Sequence, residues 1–403
     1  MTKRRLPRPQ ELAQILRPKP VVLNATDRRL ATAYTIADLR ALARRRSPRA
    51  VFDYTDGAAE AEISLRRARQ TFRSIEFHPG VLRGAAEVDT GVDILGKRSA
   101  LPFAFAPTGF TRMMNHEGEP AVARVAQRAG IPYALSTMGT TSIEDVAAVA
   151  PTGRRWFQLY VWRDRAAGRE LIERAHHAGY DSLILTVDTP VGGARLRDMR
   201  NGLTIPPALT LRTFLDGALH PAWWFNLLTT EPLTFASLSS WKGTVAELID
   251  DMFDPTLSLD DLDWVRESWP GKLVVKGIQN ADDAGDMVKH GVDAIILSNH
   301  GGRQLDRAPT PLRLLPAALD AVQGEAEVWL DTGILSGADI VAAMAQGANA
   351  CLVGRAYLYG LMAGGERGVQ RAVDILRTEI VRTMRLLGVN SIAGLRPAHA
   401  TLP

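Results

Sequence analysis

One short run concentrates reactive side chains. Ser298-Asn299-His300-Gly301-Gly302-Arg303 sets an imidazole three residues from a guanidinium, with two glycines between them. An imidazole exchanges a proton near neutral pH. A guanidinium holds a carboxylate or phosphate through paired N–H donors. Other apolar runs also finish on polar residues: Ala106-Pro107-Thr108, Ser136-Thr137, Gln158-Leu159-Tyr160, Thr186-Val187-Asp188, Lys276-Gly277, Asp331-Thr332-Gly333 and Gly354-Arg355. A strand that only packs has no use for lysine, histidine or aspartate, because burying an unpaired charge is costly. The same feature at the same end of every run predicts a site.

The elements that would position these groups follow a regular pattern. Eight apolar runs, 101–108, 131–137, 155–161, 182–188, 273–277, 294–300, 328–333 and 350–355, alternate with segments of helical period. Helices predicted over 117–129, 165–178, 282–290 and 337–346 stop at Gly130, Gly179, Gly291 and Gly347, and glycine tolerates the left-handed stop. Eight strand–helix units predict an α/β fold, a closed (β/α)8 (TIM) barrel, whose strand C-termini form the mouth. Residues 1–30 read as a basic extended arm, 31–100 as a helical extension packed on the barrel, and 101–403 as the barrel. In the extension, Thr35 caps a helix through Leu42, and further helices are expected over 48–54 and 58–71. About eighty-five residues separate the fourth and fifth strands, far beyond an ordinary loop. This insertion, about 197–257, contains the apolar segment 203–215 and the cluster Trp223-Trp224-Phe225, which reads as a lid, a membrane-interface element or a local core.

Composition excludes several classes. The one cysteine, Cys351, rules out a disulfide framework or a cysteine-rich metal site. No apolar run is long enough to span a membrane, and the basic start is followed by prolines and not by a secretory apolar region, so a cytoplasmic protein is expected, with peripheral contact at the inner membrane face open to it. The net charge of +4 is small, but Lys3, Arg4, Arg5, Arg8, Arg17, Lys19, Arg28 and Arg29 crowd the arm. Without interleaved aromatics, that arm reads as a solvated segment and not as a nucleic-acid site.

The run Ser298 to Asp306, with Phe52-Asp53-Tyr54, Phe157-Gln158-Leu159-Tyr160, Leu185-Thr186-Val187-Asp188-Thr189-Pro190, Val275-Lys276-Gly277 and Val353-Gly354-Arg355, resembles the FMN-dependent 2-hydroxy-acid oxidase and dehydrogenase family. Gly193-Ala194-Arg195-Leu196-Arg197-Asp198 and Phe253-Asp254-Pro255 resemble its bacterial respiratory L-lactate dehydrogenase subgroup. The resemblance implies oxidation of a small L-2-hydroxy acid, most simply L-lactate to pyruvate, with electrons passed through FMN to a quinone or similar acceptor. It also implies a homotetramer.

In that frame His300 is the base and Asp188 holds its imidazole. Arg303 and Arg195 clamp the carboxylate, while Tyr54 and Tyr160 supply hydroxyls to the carboxylate and the substrate oxygen. Lys276 offsets charge on the flavin, and Pro107, Thr108, Ser136, Gln158, Thr186 and Ser298 surround the ring and ribityl chain. Asp331 meets the ribityl hydroxyls, and Gly333, Gly354 and Arg355 surround the phosphate. The chain departs from the family pattern at Leu335, where many members carry arginine, and at Met138, where glycolate oxidase has tryptophan. Two alternatives remain at this stage: an oxidase that uses oxygen and makes peroxide, and a non-catalytic anion-binding barrel. A nicotinamide enzyme would need a Gly-x-Gly-x-x-Gly turn, and no convincing one is present.

Overall fold

The computed structural model describes residues 5–16, 22–202, 217–238 and 254–403. Eight parallel strands close into a barrel in sequence order. They are β1 (Phe103–Phe105), β2 (Tyr133–Ser136), β3 (Arg155–Tyr160), β4 (Ser182–Thr186), β5 (Lys272–Ile278), β6 (Ala294–Leu297), β7 (Glu327–Leu330) and β8 (Ala350–Val353). All eight expected runs are strands. Most are shorter than the runs, because residues such as Pro107, Asp188 and Gly354 lie past the hydrogen-bonded ladder, at the mouth. A (β/α)8 barrel is therefore the fold.

The barrel interior is filled, not hollow. Trp156 and Trp329 stack with ring centroids 4.9 Å apart, and small residues face them: Ala104, Ala134, Ala294 and Ala350. Large side chains opposite small ones plug the barrel below the mouth. The surrounding helices end as expected, with Gly130 and Gly179 in left-handed backbone at φ 66° and 75°.

Differences from expectation have local causes. The arm is not wholly extended: Pro9–Ile15 and Ala25–Leu30 are helical, the second capped by the Asn24 side chain on the N–H groups of Thr26 and Asp27. Thr35 caps Ile36–Arg46 as expected, in a capping box completed by Asp38. The next helices are Arg49–Asp56 and Ile63–Arg73, so the predicted helix from 58 begins five residues late. Residues 58–62 are diverted into docking, with the Ala59 N–H on the Gly302 carbonyl and the Glu60 N–H on the Ala194 carbonyl, both 2.8 Å. Residues 203–215, Phe253 and part of the arm lie outside the described residues. Of the insertion, Leu196–Asn201 and Pro221–Thr229 are helical. Trp223 packs inward and donates its indole N–H to the Met113 carbonyl at 2.9 Å, while Phe225 and Leu228 are exposed. The cluster is thus part local core and part surface. Among the described residues no helix is long and apolar enough to cross a membrane.

Candidate active site

The mouth of the barrel encloses a cavity of about 350 Å³. Of the residues singled out in the sequence, Tyr54, Pro107, Thr108, Ser136, Tyr160, Arg195, Lys276, His300, Arg303, Asp331, Gly333, Gly354 and Arg355 line it. Gln158, Thr186, Asp188 and Ser298 are buried behind its wall, each bonded to or paired in register with a lining residue.

His300 follows β6 in a tight turn with φ 57°, held by its backbone N–H on the Ser298 hydroxyl at 3.0 Å. Its Nδ1 lies 2.9 Å from Asp188 Oδ1. An ionised carboxylate only accepts, so Nδ1 carries the proton and Nε2 is left with its lone pair. Asp188 fits because residue 277 is glycine: a Cβ there would meet the Asp188 side chain at 2.7 Å, and the φ of 112° suits no other residue. Burial pushes Asp188 up, but His300 and Lys276 outweigh that and hold it below the ordinary carboxylate range. Burial lowers His300 below the usual histidine value, against the pull of Asp188. The imidazole is therefore neutral at neutral pH and available as a base.

Two cations face it. Arg303 donates to the Tyr54 carbonyl at 2.5 Å and sits 4.8 Å from the Tyr54 ring centroid. Arg195 lies 5.3 Å from the same ring, with Asp198 3.6 Å away. Burial, with Arg195 and Arg355 nearby, pulls Arg303 down to about 10. Burial also raises Asp198 above the normal carboxylate range. A partly buried pair of guanidiniums with one buried carboxylate beside it can receive an incoming anion.

Across the cavity Ser298 Oγ accepts from Lys276 Nζ (3.2 Å) and donates to Asp331 (2.7 Å). Lys276 and Asp331 are themselves 3.4 Å apart. Ser136 donates to Gln158 at 2.9 Å, and Thr108 bonds Tyr357 at 2.5 Å. Two polar atoms in this wall, Gln158 Nε2 and Thr186 Oγ1, are buried without a partner. Buried polar groups are nearly always bonded, so a donor and a hydroxyl left open here fit a polar planar ligand such as a flavin ring.

Sequence reasoning missed three contributors. Gln304 bonds the carbonyls of Asp188 and Val191 and accepts from the Gly193 N–H, tying the His300 loop to the insertion. Its place inside the quoted run beside Arg303 was the available signal. Arg197 reaches Asp53, Asp56 and Glu62 on and after the helix that carries Tyr54. Arg69, from helix Ile63–Arg73, lines the cavity beside Gly333. Nothing in the basic stretch around it distinguished that arginine from its neighbours.

A barrel with a neutral histidine, an arginine pair and a buried lysine around one mouth fits a flavin-dependent dehydrogenase of anionic substrates. The family model described as FMN-dependent dehydrogenase matches residues 43–402, and the chain belongs to that family. It is 58% identical over 99% of its length to 96% of a Mycobacterium tuberculosis protein provisionally named L-lactate dehydrogenase. It is 42% identical over 89% of its length to 94% of the L-lactate dehydrogenase of Xanthomonas campestris pv. campestris. Among solved structures, the monotopic membrane protein (S)-mandelate dehydrogenase superposes with a TM-score of 0.89 at 37% identity, covering 92% of this chain and all of that one. A mandelate oxidase variant matches at TM-score 0.80 and 37% identity, over 92% of this chain and 99% of that one.

Proposed function

We propose that this chain oxidises L-lactate to pyruvate and hands the electrons to a quinone-type acceptor. The observation that carries the reading is the His300–Asp188 pair set opposite Arg303 and Arg195 in one cavity. The guanidiniums take the substrate carboxylate, with the Tyr54 hydroxyl beside it, which fixes the hydroxyl-bearing carbon near Nε2 of His300. His300 Nε2 takes the hydroxyl proton, and Asp188 stabilises the imidazolium that results. Burial raises Tyr160 well above its ordinary value, so its hydroxyl stays protonated and donates to the substrate oxygen. FMN, when bound, supplies the two-electron acceptor. Lys276 and Ser298 would hold the charge-bearing edge of its ring, Pro107, Thr108, Ser136, Gln158 and Thr186 the rest of the ring and chain, Asp331 the ribityl hydroxyls, and Gly333, Gly354 and Arg355 the phosphate.

Lactate as the substrate is supported by the names of the relatives above. A membrane-side acceptor is supported by the exposed Leu219, Phe225 and Leu228. Phe225 and Leu228 lie on the helix Pro221–Thr229 and Leu219 just before it, and that helix rests through Trp223 on Met113, beside the cavity residue Met114. The mandelate dehydrogenase with the same fold is a monotopic membrane protein. A homotetramer, touching the inner membrane face peripherally, completes the proposal.

Anaerobic mixing with L-lactate should bleach the yellow enzyme, and D-lactate should not. A quinone should then restore the colour faster than oxygen does. Bleaching only by a larger L-2-hydroxy acid would reassign the substrate, and rapid peroxide formation with no quinone reduction would place the protein among the oxidases.

A further inference from the structure

The cavity has further cationic residues on the wall formed after β7 and β8. Strand β7 leads into Thr332, Gly333, Ile334 and Leu335, and β8 into Gly354 and Arg355, all lining the same space. The helix that starts at Arg355 has no side-chain cap, so its first backbone N–H groups are open toward an anion. Arg355 itself is largely committed: its Nε and Nη2 donate to the carbonyls of Thr55, Gly57 and Gly301 at 2.8–2.9 Å. Leu335 contributes no charge.

Arg69 stands where that charge is missing. Its Nη1 donates to Asp339 Oδ2 at 2.7 Å, and the Leu335 backbone N–H donates to the same oxygen at 2.8 Å. The guanidinium and residue 335 therefore meet on one atom. Nη1 also contacts the Gly333 carbonyl. The approach is built in, since a Cβ on Gly333 would come within 3.2 Å of Ala68 and Phe72 on the helix that carries Arg69. Among the described residues, Nε and Nη2 of Arg69 have no protein acceptor, and the side chain is only partly exposed.

We propose that Arg69 binds the FMN phosphate together with Arg355 and the open helix N-terminus, supplying from the N-terminal extension the cation that Leu335 does not. This rests on the FMN reading above. It makes the helix Ile63–Arg73 part of the cofactor site, and it ties phosphate recognition to the docking of the extension. Asp339 fixes the guanidinium through one nitrogen and leaves the other two free for a doubly charged ligand.

The test is equilibrium binding of FMN and of riboflavin, which lacks the phosphate, to the flavin-free full-length chain by fluorescence quenching. Arg69→Met should weaken FMN about 10- to 100-fold, as loss of a charged hydrogen bond does, and leave riboflavin unchanged. Adding Leu335→Arg to Arg69→Met should recover most of the lost FMN affinity. If Arg69→Met fails to fold because Asp339 is left unpaired, Arg69→Met with Asp339→Asn carries the same expectation. Equal weakening of FMN and riboflavin, or unchanged FMN binding, overturns the proposal while leaving the FMN reading intact. A wild-type chain that does not distinguish FMN from riboflavin overturns both.

Discussion

The two ends of the barrel both carry charged groups and use them in opposite ways. At the N-terminal face, before β4, Asp181 is held by Arg154 and Lys97 at 2.9 and 3.0 Å. Before β6, Asp293 takes Lys272 at 2.7 Å, Arg266 at 3.3 Å and the Leu273 N–H at 2.9 Å. Glu327 accepts from the Leu95 N–H and the Trp329 indole, both at 2.7 Å. At the C-terminal mouth, Arg303 has no carboxylate within ion-pair distance among the described residues and sits on an aromatic ring and carbonyls. Volume alone would mislead: an opening of about 590 Å³ lies at the N-terminal face, lined by Lys272, Asp293 and Glu327, which already have protein partners. What marks a site is charge held without its counter-charge, because the protein bears that desolvation cost only where a ligand offsets it.

The sharpest way to break this contrast is at the mouth. His300→Gln removes the base but none of the groups proposed to hold FMN. Flavin reduction by L-lactate should fall by about 10²–10⁴-fold, the contribution of a positioned base. FMN content and reduction by dithionite should be normal in stopped-flow spectra. Near-normal reduction by lactate would make His300 structural. Arg303→Met should act on binding as well as rate. Substrate and carboxylate inhibitors should weaken by about 2–5 kcal/mol, the cost of leaving an anion without its buried partner. Inhibitor titration followed by flavin absorbance separates the two variants.

A smaller effect tests the electrostatics. The proposed base must be neutral to take a proton, so kcat/KM should be lost as pH falls through the pKa of His300. Burial sets that value below the ordinary histidine range, with Asp188 opposing. The acid limb of the kcat/KM profile should therefore lie below that range, about 6.5. Asp188→Asn removes the charge that raises His300, so the limb should move to still lower pH while the plateau drops. Lys276→Met removes a charge that lowers His300, so the limb should move up. A shift of the Asp188→Asn limb to higher pH would show that the carboxylate does not act through the imidazole.

The barrel was legible in the sequence because its signals are local and repeated: apolar runs, glycine stops and a polar residue at each strand end. The His300 and Lys276 surroundings were legible for the same reason, since strand order places consecutive C-termini on one rim. Arg69 and Arg197 were not, because their partners lie far along the chain and arise from how the extension docks on the rim. The start of the helix at Ile63 was missed for a related reason. Residues 58–62 have helix-compatible composition, but hydrogen bonds to Gly302 and Ala194 override it. The exposed face of Pro221–Thr229 was legible as apolar, while the division between packed Trp223 and exposed Phe225 depended on Met113.

The smallest expected effect comes from the opposite face. Lys272 is about half exposed, with 52% of its side-chain surface accessible, and it shares Asp293 with Arg266. Lys272→Ala leaves that carboxylate its arginine and the Leu273 N–H, so no charge is stranded. The loss should be that of an exposed ion pair, about 0.2–1 kcal/mol. In a chain of this size that lowers the melting temperature by a few degrees at most. Screening should shrink the difference further in 1 M salt, where the Debye length is about 3 Å. FMN affinity and kcat/KM should stay within about twofold of wild type, as expected of sites with no shared partners. The barrel plug of Trp156 and Trp329 stands between the two ends. A Lys272→Ala enzyme with a markedly altered rate would mean that this plug transmits a change at the N-terminal face to the rim, and that the two ends do not act independently.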